Sequence, residues 1–355
     1  MNINSDIEAT QDAPALLIPY MWIGDFVRCH SVVQLLRQRH PERPVDVLST
    51  TLCAPLLDYM PGVRKGIVVD LPRQKLALGQ HRALAARLAA EHYGSALVMP
   101  RTWKSALAPF LAGIPERRGF AGEFRFGLLN DIRFGERGLP RMIDRCAVLA
   151  LLDDEAPPAE WPRPVLDVPE KEAARWLLGR GLPRDGRPVV AFAPGAVGPS
   201  KRWPYFAELA KRLVDQGLAV WILGSEAETP LATEIVSMAG PAARDLTSSD
   251  LRNAIFALKV AAACVTNDSG LQHVSAAIGT PTIGIFGPTS PWHWAPLNPL
   301  AATIETLSNV PCRPCHQPTC RLIHHRCMRD IPATQVLPAV LRALGREAVP
   351  LAPAS

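Results

Sequence analysis

A chain of 355 residues, 48% hydrophobic and 20% charged, is long enough for two separately packed cores and has the composition of a globular protein rather than a disordered or fibrous one. Thirty-eight Lys and Arg against 33 Asp and Glu leave a formal net charge of +5, an excess read as too mild and dispersed for a duplex-binding face. No nucleic-acid partner is therefore expected, while anionic small substrates or an anionic membrane surface would suit it.

No apolar run approaches the ~20 residues that cross a bilayer. The first twelve residues carry Asp6, Glu8 and Asp12 without Lys or Arg, which argues against a secretory leader and for a cytoplasmic protein. From there, Ala15–Tyr20, Val45–Thr50, Gly66–Asp70 and Ser95–Pro100 are predicted as buried strands. Phe26–Arg39, Leu52–Met60 and Gln80–His92 have apolar residues at helical spacing. This alternation implies βαβ units, a parallel sheet and right-handed crossovers. A proline-rich stretch, Asp153–Pro169, suits a linker. After a short helix at Glu170–Arg180 the alternation restarts. Pro188–Pro194, Ala219–Gly224, Ala262–Asn267 and Pro281–Gly287 are predicted strands; Pro204–Gln216, Leu251–Ala257 and Ser269–Ile278 are predicted helices. The expected fold class is α/β, with two Rossmann-like domains at residues 1–165 and 166–332. Their parallel sheets would face each other across a central cleft at the strand C-terminal edges. Residues 333–355 would add a helix, about Ala333–Leu344, able to pack on either domain, and a tail.

Three stretches carry residue types suited to chemistry. Trp22-Ile23-Gly24-Asp25 follows the first strand; the glycine allows a tight turn, and Asp25 is either a helix cap or a general base on an acceptor hydroxyl. No G-x-G-x-x-G fingerprint follows this strand, which speaks against a dinucleotide-dependent dehydrogenase. Pro194-Gly195-Ala196 leads into Ser200-Lys201-Arg202-Trp203-Pro204, where Lys201 either meets a phosphate or belongs to a solvated basic loop. Thr266-Asn267-Asp268-Ser269-Gly270-Leu271-Gln272-His273 ends a strand and begins a helix, whose unpaired first-turn amides attract a diphosphate. A plain cap at Asp268 or Ser269, with His273 on the surface, is the alternative.

In this order, the strand-Ile-Gly-Asp opening, Lys201–Pro204, Thr266–His273 and Phe286-Gly287-Pro288-Thr289 resemble glycosyltransferase family 9. The likeness runs from roughly Leu16 to Leu341. Lys104–Leu107, Ala112–Pro115 and Gly127–Asp131 are most similar to the family's ADP-heptose:lipopolysaccharide heptosyltransferase II branch. The resemblance implies a GT-B fold, no cofactor, no catalytic metal, and inversion at the anomeric carbon. It implies transfer of L-glycero-D-manno-heptose from ADP-heptose to a heptose of the lipopolysaccharide inner core, with peripheral contact at the cytoplasmic membrane leaflet. Asp25 would be the base and Lys201 would neutralise the departing diphosphate, with Asp268, Ser269, Gly270 and His273 around the donor and Glu226 at its ribose. Lys104, Arg118, Arg125, Arg141 and Arg145 are candidates for the anionic acceptor, each with surface solvation as its alternative. Heptosyltransferase I or another family 9 activity, a sugar-nucleotide epimerase and a non-catalytic binding protein are the rival readings.

Four cysteines remain apart from this pattern. Cys312, Cys315, Cys320 and Cys327, with His316, His324 and His325, crowd one segment whose spacing suits structural zinc, a disulfide or reduced thiols packing a loop. Cys29, Cys53, Cys146 and Cys264 lie in apolar segments and read as core thiols.

Overall fold

The structure, a computed structural model, describes residues 13–72, 74–152, 155–182 and 186–346. The leader reading on residues 1–12, the first two residues of the proline-rich stretch and the tail after residue 346 lie outside them. The chain divides into two units between Val165 and Leu166.

Apolar runs of four or five residues are too short for stable helices but suit the middle of a parallel sheet covered on both faces. In the first unit this yields β1 (Ala15–Ile18), β2 (Val45–Ser49) and β4 (Ser95–Val98), buried along their whole length. Outside them lie β3 (Val63–Val68), β5 (Glu116–Phe120) and β6 (Asp131–Arg133). All pair in parallel, in the order β3-β2-β1-β4-β5-β6. The connections are α1 (Ile23–Arg28), α2 (His30–Arg39), α3 (Ala54–Leu57), α4 (Leu78–Ala89), α5 (Trp103–Leu111) and α6 (Met142–Ala147). The long helix expected from Phe26 is two helices meeting at Cys29, and the one expected from Leu52 shrinks to a single turn.

A buried carboxylate needs partners that replace water. Asp46 on β2 is fully buried and accepts from Arg64 Nε at 2.8 Å and Tyr93 Oη at 2.5 Å. Burial and the adjacent carboxylate push the Tyr93 phenol far above its ordinary range.

The second unit repeats the plan. Its strands are β7 (Val189–Ala193), β8 (Ala219–Ile222), β9 (Ala243–Asp245), β10 (Ala263–Asn267), β11 (Thr282–Phe286) and β12 (Ala302–Glu305). They are parallel, in the order β12-β11-β10-β7-β8-β9. Counting from β7, this is again the 3-2-1-4-5-6 order of dinucleotide-binding folds, so the expectation of two Rossmann-like units holds. The helices are α7 (Glu170–Gly179), α8 (Phe206–Val214), α9 (Thr229–Ala239), α10 (Leu251–Val260), α11 (Gly270–Ile278), α12 (Pro291–Trp294), α13 (Arg326–Arg329) and α14 (Ala333–Ala343). The last helix buries Val336, Leu337, Val340 and Leu341 in the core that holds Phe206 and Leu209 of α8. Its apolar stripe, silent in the sequence about which core it covers, belongs to the second.

Candidate active site

In open parallel sheets ligands gather where the strand order reverses, outside the strand C-terminal ends. In the first unit that point lies between β1 and β4. Asp25 follows β1 in the first turn of α1, where its charge suits the positive end of the helix. It is not the cap: Trp22 holds that position, without a side-chain hydrogen bond. Arg28 Nη1 stands 2.6 Å from Asp25 Oδ1, with Arg28 3% exposed and the Asp25 side chain 17% exposed. Sequence reading missed Arg28, although its i, i+3 spacing from Asp25 signals the pair. Behind them Cys29 Sγ lies 3.8 Å from Cys146 Sγ, and the contact with that thiol, then burial, raise Cys146 well above the usual thiol range. Both read as packed, unreactive thiols.

The basic candidates of this unit separate into groups. Arg118 binds Asp131 at 2.5 Å, Glu116 at 2.7 Å and the carbonyls of Leu149 and Leu151 at 3.2 and 2.8 Å. Arg125 is 1% exposed, donating from Nε to Phe120 O at 2.9 Å and from Nη1 to Pro100 O at 2.6 Å. These two guanidiniums close β5 and its following loop, and their donors are spent on the fold rather than turned to an acceptor. Arg141 pairs with Asp144 at 2.7 Å, which also accepts from Trp161 Nε1 at 2.7 Å. Arg145 donates to Leu139 O at 3.3 Å. Lys104 on α5, Arg141 at the N-cap of α6 and Arg145 on α6 are partly exposed.

In the second unit the reversal lies between β7 and β10, and Lys201 and Asp268 meet there. The chain leaves β7 through Pro194-Gly195 into a single turn at Pro199–Lys201; Asp268 follows β10 directly. Lys201 Nζ lies 2.7 Å from Asp268 Oδ2, with side-chain exposures of 27% and 7%. Asn267, fully buried, holds the two loops together, donating to Pro194 O at 2.6 Å and accepting from Trp203 N at 3.1 Å. Ser269 is the cap residue of α11 but makes no side-chain cap hydrogen bond; its hydroxyl lies 3.2 Å from Thr266 Oγ1. The first-turn amides, led by Gly270, therefore keep their anion-binding character. His273, one turn on, is buried at 5% exposure, with its Nε2 3.4 Å from Gln272 Nε2; it is not the surface residue of the alternative reading.

Glu226 is exposed at the start of a short turn after β8, while Glu228 turns inward. Glu228 accepts from Ser225 N and Ser225 Oγ at 2.9 and 2.7 Å. A methyl group at Gly195 or Gly224 would stand 2.9 Å from its side chain, so close packing accounts for both glycines.

The cysteine-rich segment also belongs to this site's support. Ser200, beside Lys201, donates from N to Pro318 O at 3.1 Å and from Oγ to Gln317 O at 2.5 Å, and its own carbonyl accepts from His325 at 2.6 Å. His316 N donates to Pro288 O at 2.9 Å, and its ring centre lies 6.0 Å from that of His293. Burial, then His293 and Lys201, hold the His316 imidazole below its ordinary 6.5. Sequence spacing left structural zinc, a disulfide or packed reduced thiols open here and gave no hint of this buttress. Cys312 Sγ is 3.9 Å from His324 Nε2, and burial raises the Cys327 thiol to about 11. All eight cysteines are free thiols, and among the described residues no group of three or more His, Cys, Asp or Glu is placed to hold a metal ion.

An ammonium–carboxylate pair above an uncapped helix start can take a diphosphate, and a carboxylate steered by a buried arginine can take a proton. The sequence profile of glycosyltransferase family 9 (heptosyltransferase) matches residues 81–325. The chain belongs to this family. Lipopolysaccharide heptosyltransferase 2 of Escherichia coli strain K12 is 37% identical over 309 residues, 82% of this chain and 88% of that one. Its namesake from Salmonella typhimurium strain LT2 is 34% identical over 350 residues, covering 94% and 99%. The solved structure of E. coli ADP-heptose lps heptosyltransferase II superposes with a TM-score of 0.81 at 33% identity, covering 93% of this chain and 98% of that one. The chain is thus a family 9 glycosyltransferase of the GT-B fold class, and among its described residues no helix is long and apolar enough to cross a membrane.

Proposed function

We propose that this family 9 enzyme transfers L-glycero-D-manno-heptose from ADP-heptose to a heptose of the lipopolysaccharide inner core, with inversion and without a catalytic metal. The observation that carries the reading is the Lys201–Asp268 pair at the strand reversal of the second unit, beside the start of α11. Leaving-group departure puts negative charge on the diphosphate. Lys201 and the amides of Ser269 and Gly270 offer donors already in place, which lowers that barrier without reorganisation. Asp268 holds the Lys201 ammonium until a phosphate competes for it, and His273 flanks the same helix turn. Glu226, exposed after β8, receives the ribose.

In the first unit, Asp25 accepts the proton of the attacking acceptor hydroxyl, its carboxylate steered by Arg28. Lys104, Arg141 and Arg145 serve the anionic acceptor; Arg118 and Arg125 leave that set because their donors are already taken. The chemistry is cytoplasmic, at a membrane leaflet that presents the acceptor. The test is incubation with ADP-heptose and a panel of truncated core acceptors, with and without chelator. The expected product carries one added heptose, of anomeric configuration opposite to the donor's, on the acceptor that already bears one heptose, at a rate unchanged by chelator. Transfer only to a heptose-free core would assign heptosyltransferase I. Epimerised nucleotide-sugar without acceptor would overturn the reading.

A further inference from the structure

Three phenylalanines stand in water. Phe124, Phe126 and Phe134 are 94%, 69% and 74% exposed. Single exposed apolar side chains are ordinary, but a cluster of aromatics marks a contact surface. These three share one edge. β5 and β6 pair through Phe120 and Arg133, and Ala121 N donates to Arg133 O at 2.8 Å, which sets Phe134 beside the loop leaving β5. That loop is pinned from beneath. Arg125, between Phe124 and Phe126, is buried on the carbonyls of Phe120 and Pro100, and Glu123 N donates to Arg101 O at 3.1 Å. Gly122 packs so closely that an added methyl would meet Arg101 O at 2.3 Å. A fixed scaffold therefore presents the aromatics.

Exposed cations flank the same edge: Arg101, whose carbonyl accepts from Glu123 N and whose guanidinium pairs with Glu136, and Arg137, three residues after Phe134. Residues 101–145 hold nine Lys or Arg against five Asp or Glu, although Arg118 and Arg125 among them are turned into the fold.

We propose that this rim docks the enzyme on an anionic bilayer surface, the three rings entering the headgroup–acyl boundary and the basic side chains lying among lipid phosphates. Aromatic rings beside cationic side chains are the composition that binds such an interface. The proposal rests on the reading that the acceptor is lipid-linked, since it brings the first unit to the leaflet that carries it. It also gives Arg125 a purpose: by taking the loop's carbonyls inside, it turns its two neighbours out.

The test uses the full chain and its F124S/F126S/F134S variant, with F124S alone as a second variant should the triple one fail to fold. Co-sedimentation is measured with phosphatidylglycerol–phosphatidylethanolamine vesicles and with neutral phosphatidylcholine vesicles. Transfer is measured to the lipid-linked core in vesicles and to the same core deacylated in solution. The triple variant is expected to lose about tenfold or more of its binding to anionic vesicles and of its transfer to the embedded acceptor; F124S loses a smaller part. Both keep transfer to the deacylated core, and the wild type prefers anionic over neutral vesicles. Unchanged sedimentation, equal loss on both acceptors, or an altered self-association without altered vesicle binding would overturn the proposal. A wild-type protein that binds vesicles yet transfers to neither acceptor would instead sink the functional reading and leave the docking surface standing.

Discussion

Lys201 and Asp268 stand 67 positions apart in the chain and 2.7 Å apart in space. Both were legible because Asp268 directly follows one apolar run and Lys201 lies on the loop that leaves another, and the end of a buried parallel strand is where function collects in this kind of sheet. Their pairing was not legible, because Asn267 and Trp203 set it through tertiary contacts. Arg28 was missed for a related reason: its i, i+3 spacing allows the pair with Asp25, but only burial distinguishes it from a surface cation. Arg118 and Arg125 stand in the sequence as acceptor candidates or solvated surface cations, because a guanidinium in a string of letters does not reveal whether it meets water or carbonyls. Lys201→Ala should lower kcat by about 10²-fold or more, on the order of 3 kcal/mol of transition-state stabilisation. Steady-state kinetics checks this; a change confined to KM would assign Lys201 to ground-state binding alone. Arg118→Ala should reduce thermal stability and leave the acceptor KM near wild type, which melting curves and acceptor titration separate.

At the scale of elements, strands buried on both faces announce themselves as apolar runs, and those were found. β5, β6, β9 and β12 were not. β6 and β9 have three residues each, and β5 and β6 carry Arg118, Asp131 and Arg133, whose charges pair along the sheet instead of packing apolar surface. Such strands are recruited by the register of a neighbour rather than by their own pattern. Gly284 shows how tightly the second sheet meets its helix. A methyl there would stand 2.5 Å from Gln272 Oε1 on α11 and 2.9 Å from the Phe286 ring. Gly284→Ala should therefore destabilise the fold by about 1–3 kcal/mol, read as a lowered melting temperature.

His30 ties α2 to distant chain: its Nε2 lies 2.8 Å from Pro61 O, and Nδ1 accepts from Val165 N at 3.0 Å. An imidazole that donates through one nitrogen and accepts through the other is neutral, and burial lowers it from 6.5. The unfolded chain then binds its proton at higher pH than the folded one. The stability this group contributes is complete above pH about 6.5 and is lost as pH falls below it, by up to ~1.4 kcal/mol per pH unit until the folded group itself titrates. Denaturant melts between pH 7.5 and 5.5 should show this slope, reduced in His30→Gln. An equal slope in both proteins would assign the acid sensitivity elsewhere, with His81 and His316, also lowered by burial, as the next candidates.

For the whole molecule, the repeated 3-2-1-4-5-6 strand order makes each unit a complete ligand-binding sheet. The fold class was legible because both halves alternate strand and helix in the same rhythm. The covering of the second core by α14 was not, since an amphipathic stripe names no partner. If the donor belongs wholly to the second unit, residues 166–355 expressed alone should bind ADP with an affinity near that of the full chain, measurable by calorimetry. Loss of binding by a folded fragment would move part of the donor site elsewhere.

The proposed mechanism divides the labour: Asp25 moves the proton and the second unit holds the donor. Single-turnover transfer by Asp25→Asn, with ADP-heptose saturating, tests it most directly. The rate should fall by about 10²- to 10⁴-fold while the affinity for ADP-heptose stays unchanged. Turnover near that of the wild type would contradict it.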